Sequence, residues 1–168
     1  MAIANPEKQR ESVKMFDPRI GNVALDANAL DYDGVRDQQI DRLLALHEEE
    51  KVSLVLPGSV RTETMSLNTP KQVRDLMKIQ IFTIDEGRTH DEQRVLVQLQ
   101  DLMRGNAKPG KHAADGEHLF VAQKYGRFFV TNDERILKKR EAIGKLIGNT
   151  LAIVTVDELL AMYDATAK

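Results

Sequence analysis

Apolar residues along the chain switch between two spacings, and the switches mark the elements. Asn22-Val-Ala-Leu-Asp26 is a short apolar run ending in an acid, whereas Val35 to Glu50 carries apolar residues at 35, 40, 43, 44 and 46, the spacing of one helix face. Ser53-Leu-Val-Leu-Pro57 reads as a second buried strand. Pro57 suits the first turn of a helix through Met65, and Thr69-Pro70 opens another short helix by the same logic. Ile79-Gln-Ile-Phe-Thr-Ile84 alternates like a strand, and Thr89-His-Asp-Glu92 is a capping-box signal for a helix reaching about Met103. After a loop from Gly105 to Gly110, the pattern predicts a helix from Ala113 to Tyr125, a strand Arg127-Phe-Phe-Val-Thr131 and a charged helix over 134–143. A last strand, Leu151-Ala-Ile-Val-Thr-Val156, precedes a helix from Asp157 to about Tyr163. Residues 1–20 are polar apart from Val13, Met15 and Phe16 and read as an N-terminal extension.

Five strands alternating with helices require parallel crossovers. The expected fold is therefore α/β, a three-layer α/β/α sandwich with a central, mainly parallel five-stranded sheet over residues 21–168. A chain of 168 residues fits one such domain. Its apolar fraction of 42% and charged fraction of 30% are those of an ordinary globular protein, and no apolar run approaches the roughly 18 residues of a membrane span. Without cysteine, disulfides and thiolate metal sites are excluded, and no basic segment followed by an apolar one marks the N-terminus, so a cytoplasmic location is the expectation. The net charge of −2 argues against a protein that coats nucleic acid by charge alone. It is compatible with an enzyme that gathers carboxylates around a metal and holds phosphates with local basic patches.

In parallel α/β sheets, ligand sites gather beyond the carboxyl ends of the strands. Asp26 ends the first strand, and Asp133 lies just beyond the strand ending at Thr131. Glu63 falls in the helix after the second strand, and Asp115 opens the helix that feeds the Arg127 to Thr131 strand. Four acids thus arrive at one edge from four places. Carboxylate oxygens are the preferred ligands of hard cations such as Mg²⁺ and Mn²⁺. Uncompensated, such a cluster would repel itself or take up protons. A bound cation resolves the repulsion, acidifies a water and stabilises charge developing on a phosphate. Each acid also has a structural alternative: Asp26 as a turn residue, Glu63 as a solvated helix residue, Asp115 and Asp133 as helix caps, with Thr131-Asn-Asp-Glu134 fitting a capping box. The shared site is favoured because four independent structural roles would have to converge on one sheet edge.

These residues resemble the motifs of the PIN-domain nucleases. Leu25-Asp26-Ala27-Asn28 is similar to the first motif, Glu63 in Ser59-Val-Arg-Thr-Glu63 to the second, and Ala114-Asp115 and Thr131-Asn-Asp133 to the third and fourth. The resemblance runs from about residue 22 to 163. It implies a stand-alone PIN ribonuclease in which Asp26, Glu63, Asp115 and Asp133 are catalytic and bind Mg²⁺ or Mn²⁺, supported by Asn28 and Thr131. It further implies the toxin of a toxin–antitoxin pair, with RNA as substrate, an antitoxin protein as partner and a homodimer as assembly. Where the family commonly has a hydroxyl residue, this chain has Ala27.

Basic residues flank the acids. Lys108, Lys111 and His112 precede Asp115, and Arg135, Lys138-Lys-Arg140 and Lys145 follow Asp133. Of these, Lys111, His112, Arg135 and Lys138 are the expected RNA contacts, against the alternatives of a flexible connection and a solvated helix face. Gly105-Asn-Ala-Lys-Pro-Gly110-Lys111 imitates a phosphate loop, but His112 stands where Ser or Thr should hold Mg²⁺, and a helix rather than a strand precedes it. The Glu48-Glu-Glu50 run reads as solvated, and His47, His90, His112 and His118 lack zinc spacing. Two other functions compete with the nuclease. Leu25-Asp-Ala-Asn-Ala-Leu-Asp31 partly matches the nucleophile motif of haloacid-dehalogenase-like phosphatases, with Asn28 in place of the second aspartate. The non-enzymatic alternative is a PIN fold kept as an RNA-binding or assembly module, which would be free to lose the four acids.

Overall fold

A computed structural model describes residues 16–60, 82–84 and 87–166, the 82–84 segment through its backbone alone. The sheet strands are β1 (Asn22–Leu25), β2 (Ser53–Pro57), β3 (Phe82–Ile84), β4 (Phe128–Val130) and β5 (Ala152–Val154). The helices are α1 (Asp37–Glu48), α2 (His90–Arg104), α3 (Ala113–Tyr125), α4 (Glu134–Leu146) and α5 (Val156–Ala165). The sheet order is β3-β2-β1-β4-β5, and every pairing is parallel. Parallel neighbours need crossover connections, and α2 to α4 lie in the connections around β4 and β5.

Strand alternation divides the interior into two cores. Val23, Leu25, Leu54, Leu56, Phe128, Val130 and Val154 point to one face, covered by Ile40, Leu43, Leu44 and Leu46 of α1 and by Val156, Leu159 and Leu160 of α5. Ala24, Val55, Phe129 and Ile153 point to the other, under Leu96, Leu99 and Met103 of α2, Leu119 to Ala122 of α3, and Ile136 and Ile143 of α4. Sheet strands covered on both faces are apolar along their buried length, which is why β1, β2, β4 and β5 read as short apolar runs.

The structure departs from the sequence pattern at several boundaries. Pro57 closes β2, in register with Ile84, and helical geometry starts at Gly58 rather than at the proline. The continuation through Met65, the Thr69-Pro70 helix and residues 79–81 lie outside the described residues. Residue Phe16, assigned by its polar surroundings to the extension, packs on the β1 core with its ring edge-on to Phe128 at 6.0 Å. Arg19 follows it down, donating to Tyr163 O at 2.9 Å and standing 4.7 Å over the Tyr163 ring. A polar stretch with one aromatic anchor gives no periodicity, so the sequence pattern could not place it.

Among the described residues, no helix is long and apolar enough to cross a membrane.

The approach of α3 to α2 sets the position of the acid on α3. At Gly116, beside Asp115, an added Cβ would lie 2.8 Å from both Gln100 Cα and Gln100 N. Gln100 Nε2 also donates to Ala113 O at 3.4 Å, fastening the first turn of α3 to α2. Gly116→Ala sets two effects against each other: a gain of about 1 kcal/mol in helix propensity and an overpacking cost of about 1–3 kcal/mol. Because the obstruction is backbone rather than a flexible side-chain end, overpacking wins. Urea denaturation is expected to show a net loss of stability, and a stabilised variant would show that the two helices separate freely.

Candidate metal and phosphate site

Strand order reverses between β1 and β4. From β1 the chain builds outward through β2 and β3, then returns to β1's other side with β4 and β5. Loops leaving two such neighbours diverge and leave a crevice beyond their carboxyl ends. Asp26 and Thr131 are the first residues past those ends, held side by side by Leu25 opposite Val130 and by Asp26 N donating to Val130 O at 2.9 Å.

Asp26 is 6% exposed and Thr131 fully buried. Such burial demands partners. Thr131 Oγ1 donates to Asp26 Oδ2 at 2.6 Å and accepts from Asp133 N at 3.0 Å, so a single hydroxyl ties two of the acids together. Asp26 Oδ1 accepts the Ala27 N–H at 2.8 Å, and His118 Nδ1 of α3 lies 3.5 Å from the same oxygen. Asn28 Oδ1 accepts Asn132 N at 3.0 Å, while Asn132 Nδ2 donates to Asn28 O at 2.9 Å. The expected supporting residues thus act as ties: Thr131 between the Asp26 carboxylate and the Asp133 backbone, Asn28 between the two loops.

Asp133 caps α4 by accepting Arg135 N at 2.8 Å. The box anticipated between Thr131 and Glu134 does not form, because the Thr131 hydroxyl is committed to Asp26 and Asp133. Asp115 is no cap either. It sits in the first turn of α3, which starts from His112 in the left-handed region at φ 64°, without a side-chain cap. A non-glycine residue there is uncommon and bends the entering chain sharply enough to bring the His112 ring back over the site.

Arg135 joins the remaining acids. Its guanidinium reaches Asp133 Oδ2 at 2.5 Å and Asp115 Oδ2 at 3.4 Å through the same nitrogen, and another nitrogen touches the His112 ring. His112 Nδ1 in turn lies 3.3 Å from Asp115 Oδ2. Arg135 and His112, expected to meet RNA, are therefore engaged with the acids. Lys111 is exposed on the turn before α3, and Lys138 pairs with Glu134 at 3.0 Å one helical turn along α4. Glu63 lies outside the described residues.

The electrostatics differ from acid to acid. Burial pushes Asp115 above the ordinary carboxylate value; Arg135 opposes this, while Asp133 and Asp26 add to it. At Asp133 burial also pushes upward, but the side-chain and backbone hydrogen bonds from Arg135 outweigh it, and the group lies below its ordinary value. Burial followed by the charge of Asp26 raises Asp31, an acid on the rim that the sequence motifs did not single out. Two further residues escaped the motif reading. Asn132 lies inside the Thr131 to Asp133 motif, and His118 is one helical turn beyond Asp115, on the same face.

A divalent cation fits the donor chemistry. The ligands on offer are carboxylate oxygens, and Asp115 Oδ2 is buried with Arg135 and His112 near it at 3.4 and 3.3 Å, neither contact having hydrogen-bond geometry. Among the described residues, no three acids or histidines stand close enough to hold an ion with the side chains as placed. Arg135 occupies the space between Asp115 and Asp133.

Compared with protein-family models, with curated proteins and with solved structures, the chain matches none.

Opposite shifts at Asp115 and Asp133 predict opposite pH effects in metal-free buffer. A raised carboxyl holds its proton longer in the folded state, so stability falls as pH rises from the ordinary value of about 3.9 through the raised one. A lowered carboxyl contributes stability above about 3.9 that is lost as pH falls through its folded value. Asp115→Asn is therefore expected to be more stable than the wild type near neutrality and equal to it in acid. Asp133→Asn, which keeps a good capping side chain, is expected to be less stable near neutrality and to converge with the wild type in acid. Urea titrations from acid to neutral pH read both; shifts of the same sign would contradict this charge arrangement.

Proposed function

We propose that this chain is a metal-dependent ribonuclease of the PIN type, hydrolysing RNA phosphodiester bonds with Mg²⁺ or Mn²⁺ held by Asp26, Asp115 and Asp133 together with Glu63. One observation carries the reading: three separate elements bring Asp26, Asp115 and Asp133 to the edge where strand order reverses, Thr131 holding the Asp26 carboxylate and the Asp133 backbone N–H, and Arg135 bridging the carboxylates of Asp133 and Asp115. The helices over both sheet faces accord with a three-layer, PIN-like sandwich.

A divalent cation bound there would acidify a water and offset charge developing on the phosphodiester. The chain's own residues supply the rest. Thr131 and the Ala27 N–H hold Asp26 in one orientation. Arg135 and His112 stand beside the acids, where a guanidinium can take a phosphate through two parallel hydrogen bonds. To serve a phosphate, Arg135 must leave the acids, and its departure frees Asp115 and Asp133 as ligands. Asn28 is committed to Asn132, so position 28 offers no acid–base group of the kind a haloacid-dehalogenase-like phosphatase uses. A toxin with an antitoxin partner and a homodimeric assembly is the biological setting that the PIN resemblance implies, and the lack of cysteine accords with a cytoplasmic one.

Calorimetry of Mn²⁺ binding to the metal-free protein tests the reading. The wild type should bind, the Asp26→Asn/Asp115→Asn double variant should not, and Arg135→Met should bind about tenfold or more tightly, since a competing cation is gone. Cleavage of single-stranded RNA should stop in chelator and return with Mn²⁺ or Mg²⁺. Cleavage that persists in chelator, or equal heats from the wild type and the double variant, would contradict the proposal.

A further inference from the structure

We propose that His118 is a positioning residue that fixes the Asp26 carboxylate for metal binding, an inference that rests on the metal reading of the site. His118 is 2% exposed on α3, in a stretch that continues through the buried residues Leu119 to Ala122. Burying an imidazole costs free energy unless it has polar partners, and packing alone at this position would be served by leucine or methionine. Its Nδ1 points instead at the most buried of the acids, 3.5 Å from Asp26 Oδ1.

At 3.5 Å the approach is longer than a formed hydrogen bond, and electrostatics sets its polarity. An ionised carboxylate only accepts hydrogen bonds, so a ring nitrogen facing it carries the proton. Asp26 is then approached from three sides: the Thr131 hydroxyl beyond β4 on Oδ2, its own loop through Ala27 N on Oδ1, and α3 through His118. Two of these belong to the sheet edge. His118 brings the helix that carries Asp115 against Asp26, and so sets the relative placement of the two carboxylates. A carboxylate has about four acceptor sites, which leaves room for a cation beside these donors. Groups that orient metal ligands without touching the metal typically change metal affinity by about 10–100-fold when removed.

The test compares His118→Leu, which keeps bulk and loses the donor, with His118→Asn, whose amide nitrogen falls near the position of the ring Nδ1. Mn²⁺ affinity is measured by calorimetry, and the melting temperature is recorded without metal. His118→Leu should weaken Mn²⁺ binding about tenfold or more while melting no lower than the wild type, and His118→Asn should recover most of the affinity. If His118→Leu does not fold, His118→Met takes its place. In the wild type, ¹⁵N spectra of the imidazoles should show His118 protonated on Nδ1. Wild-type affinity in the leucine or methionine variant, equal weakening in the asparagine variant, or a ring protonated on Nε2 alone would each overturn the assignment. Where Asp26→Asn still abolishes Mn²⁺ binding, such a result leaves the metal reading standing. Absence of Mn²⁺ binding by the wild type would instead remove the metal reading and this inference with it.

Discussion

The pairing of β1 with β4 is the constraint on which the site depends. Leu25 opposite Val130, extended by the ladder bond from Asp26 N to Val130 O, brings two chain ends together at the point where strand order reverses. Side chains alternate along a strand, so Asp26 continues the face of Ala24 and Thr131 that of Phe129, both toward α2, α3 and α4. A one-residue slip of either strand would turn its own residue, Asp26 or Thr131, away from α3 and break the pair. The apolar cores on the two faces, with fully buried Phe128 and Phe129 locked on opposite sides, oppose that slip.

Given that register, the chemistry of the crevice is a problem of charge. Three carboxylates come to one sheet edge, and at Asp115 burial raises the proton affinity, with Arg135 opposing it and the charges of Asp133 and Asp26 adding to it. The fold compensates locally, with a hydroxyl and a backbone N–H at Asp26 and with a guanidinium shared by Asp133 and Asp115. Arg135 is half exposed on its side-chain surface, so its hold on the acids is screened by water and exchangeable. An exchangeable cation over partly buried anions is what the proposed uptake of a metal ion and a phosphate requires.

Much of this was legible in the sequence because it follows from periodicity. The strands appear as apolar runs, Thr89-x-x-Glu92 marks the start of α2, and Asp26 and Asp133 fall just past strand ends. Thr155-x-x-Glu158 is an equally good box, and it explains why β5 stops at Val154 and α5 starts before Asp157. What stayed hidden depends on side-chain direction across elements. Nothing local distinguishes an arginine two residues past Asp133 that bends back onto two carboxylates from one on a solvated face. Likewise, a histidine within an apolar helix shows its role only once β1 lies beneath it. Phe16 and Arg19, in a polar segment, reveal their partners Phe128 and Tyr163 only in three dimensions.

The central claim is that Arg135 and a divalent cation occupy the same place between the acids. Anomalous scattering from a Mn²⁺-soaked crystal addresses it directly. The account predicts a peak about 2 Å from carboxylate oxygens of Asp26 and of Asp115 or Asp133, with the Arg135 guanidinium withdrawn from Asp115. A peak elsewhere, or an ion bound with Arg135 still bridging Asp115 and Asp133, would contradict it.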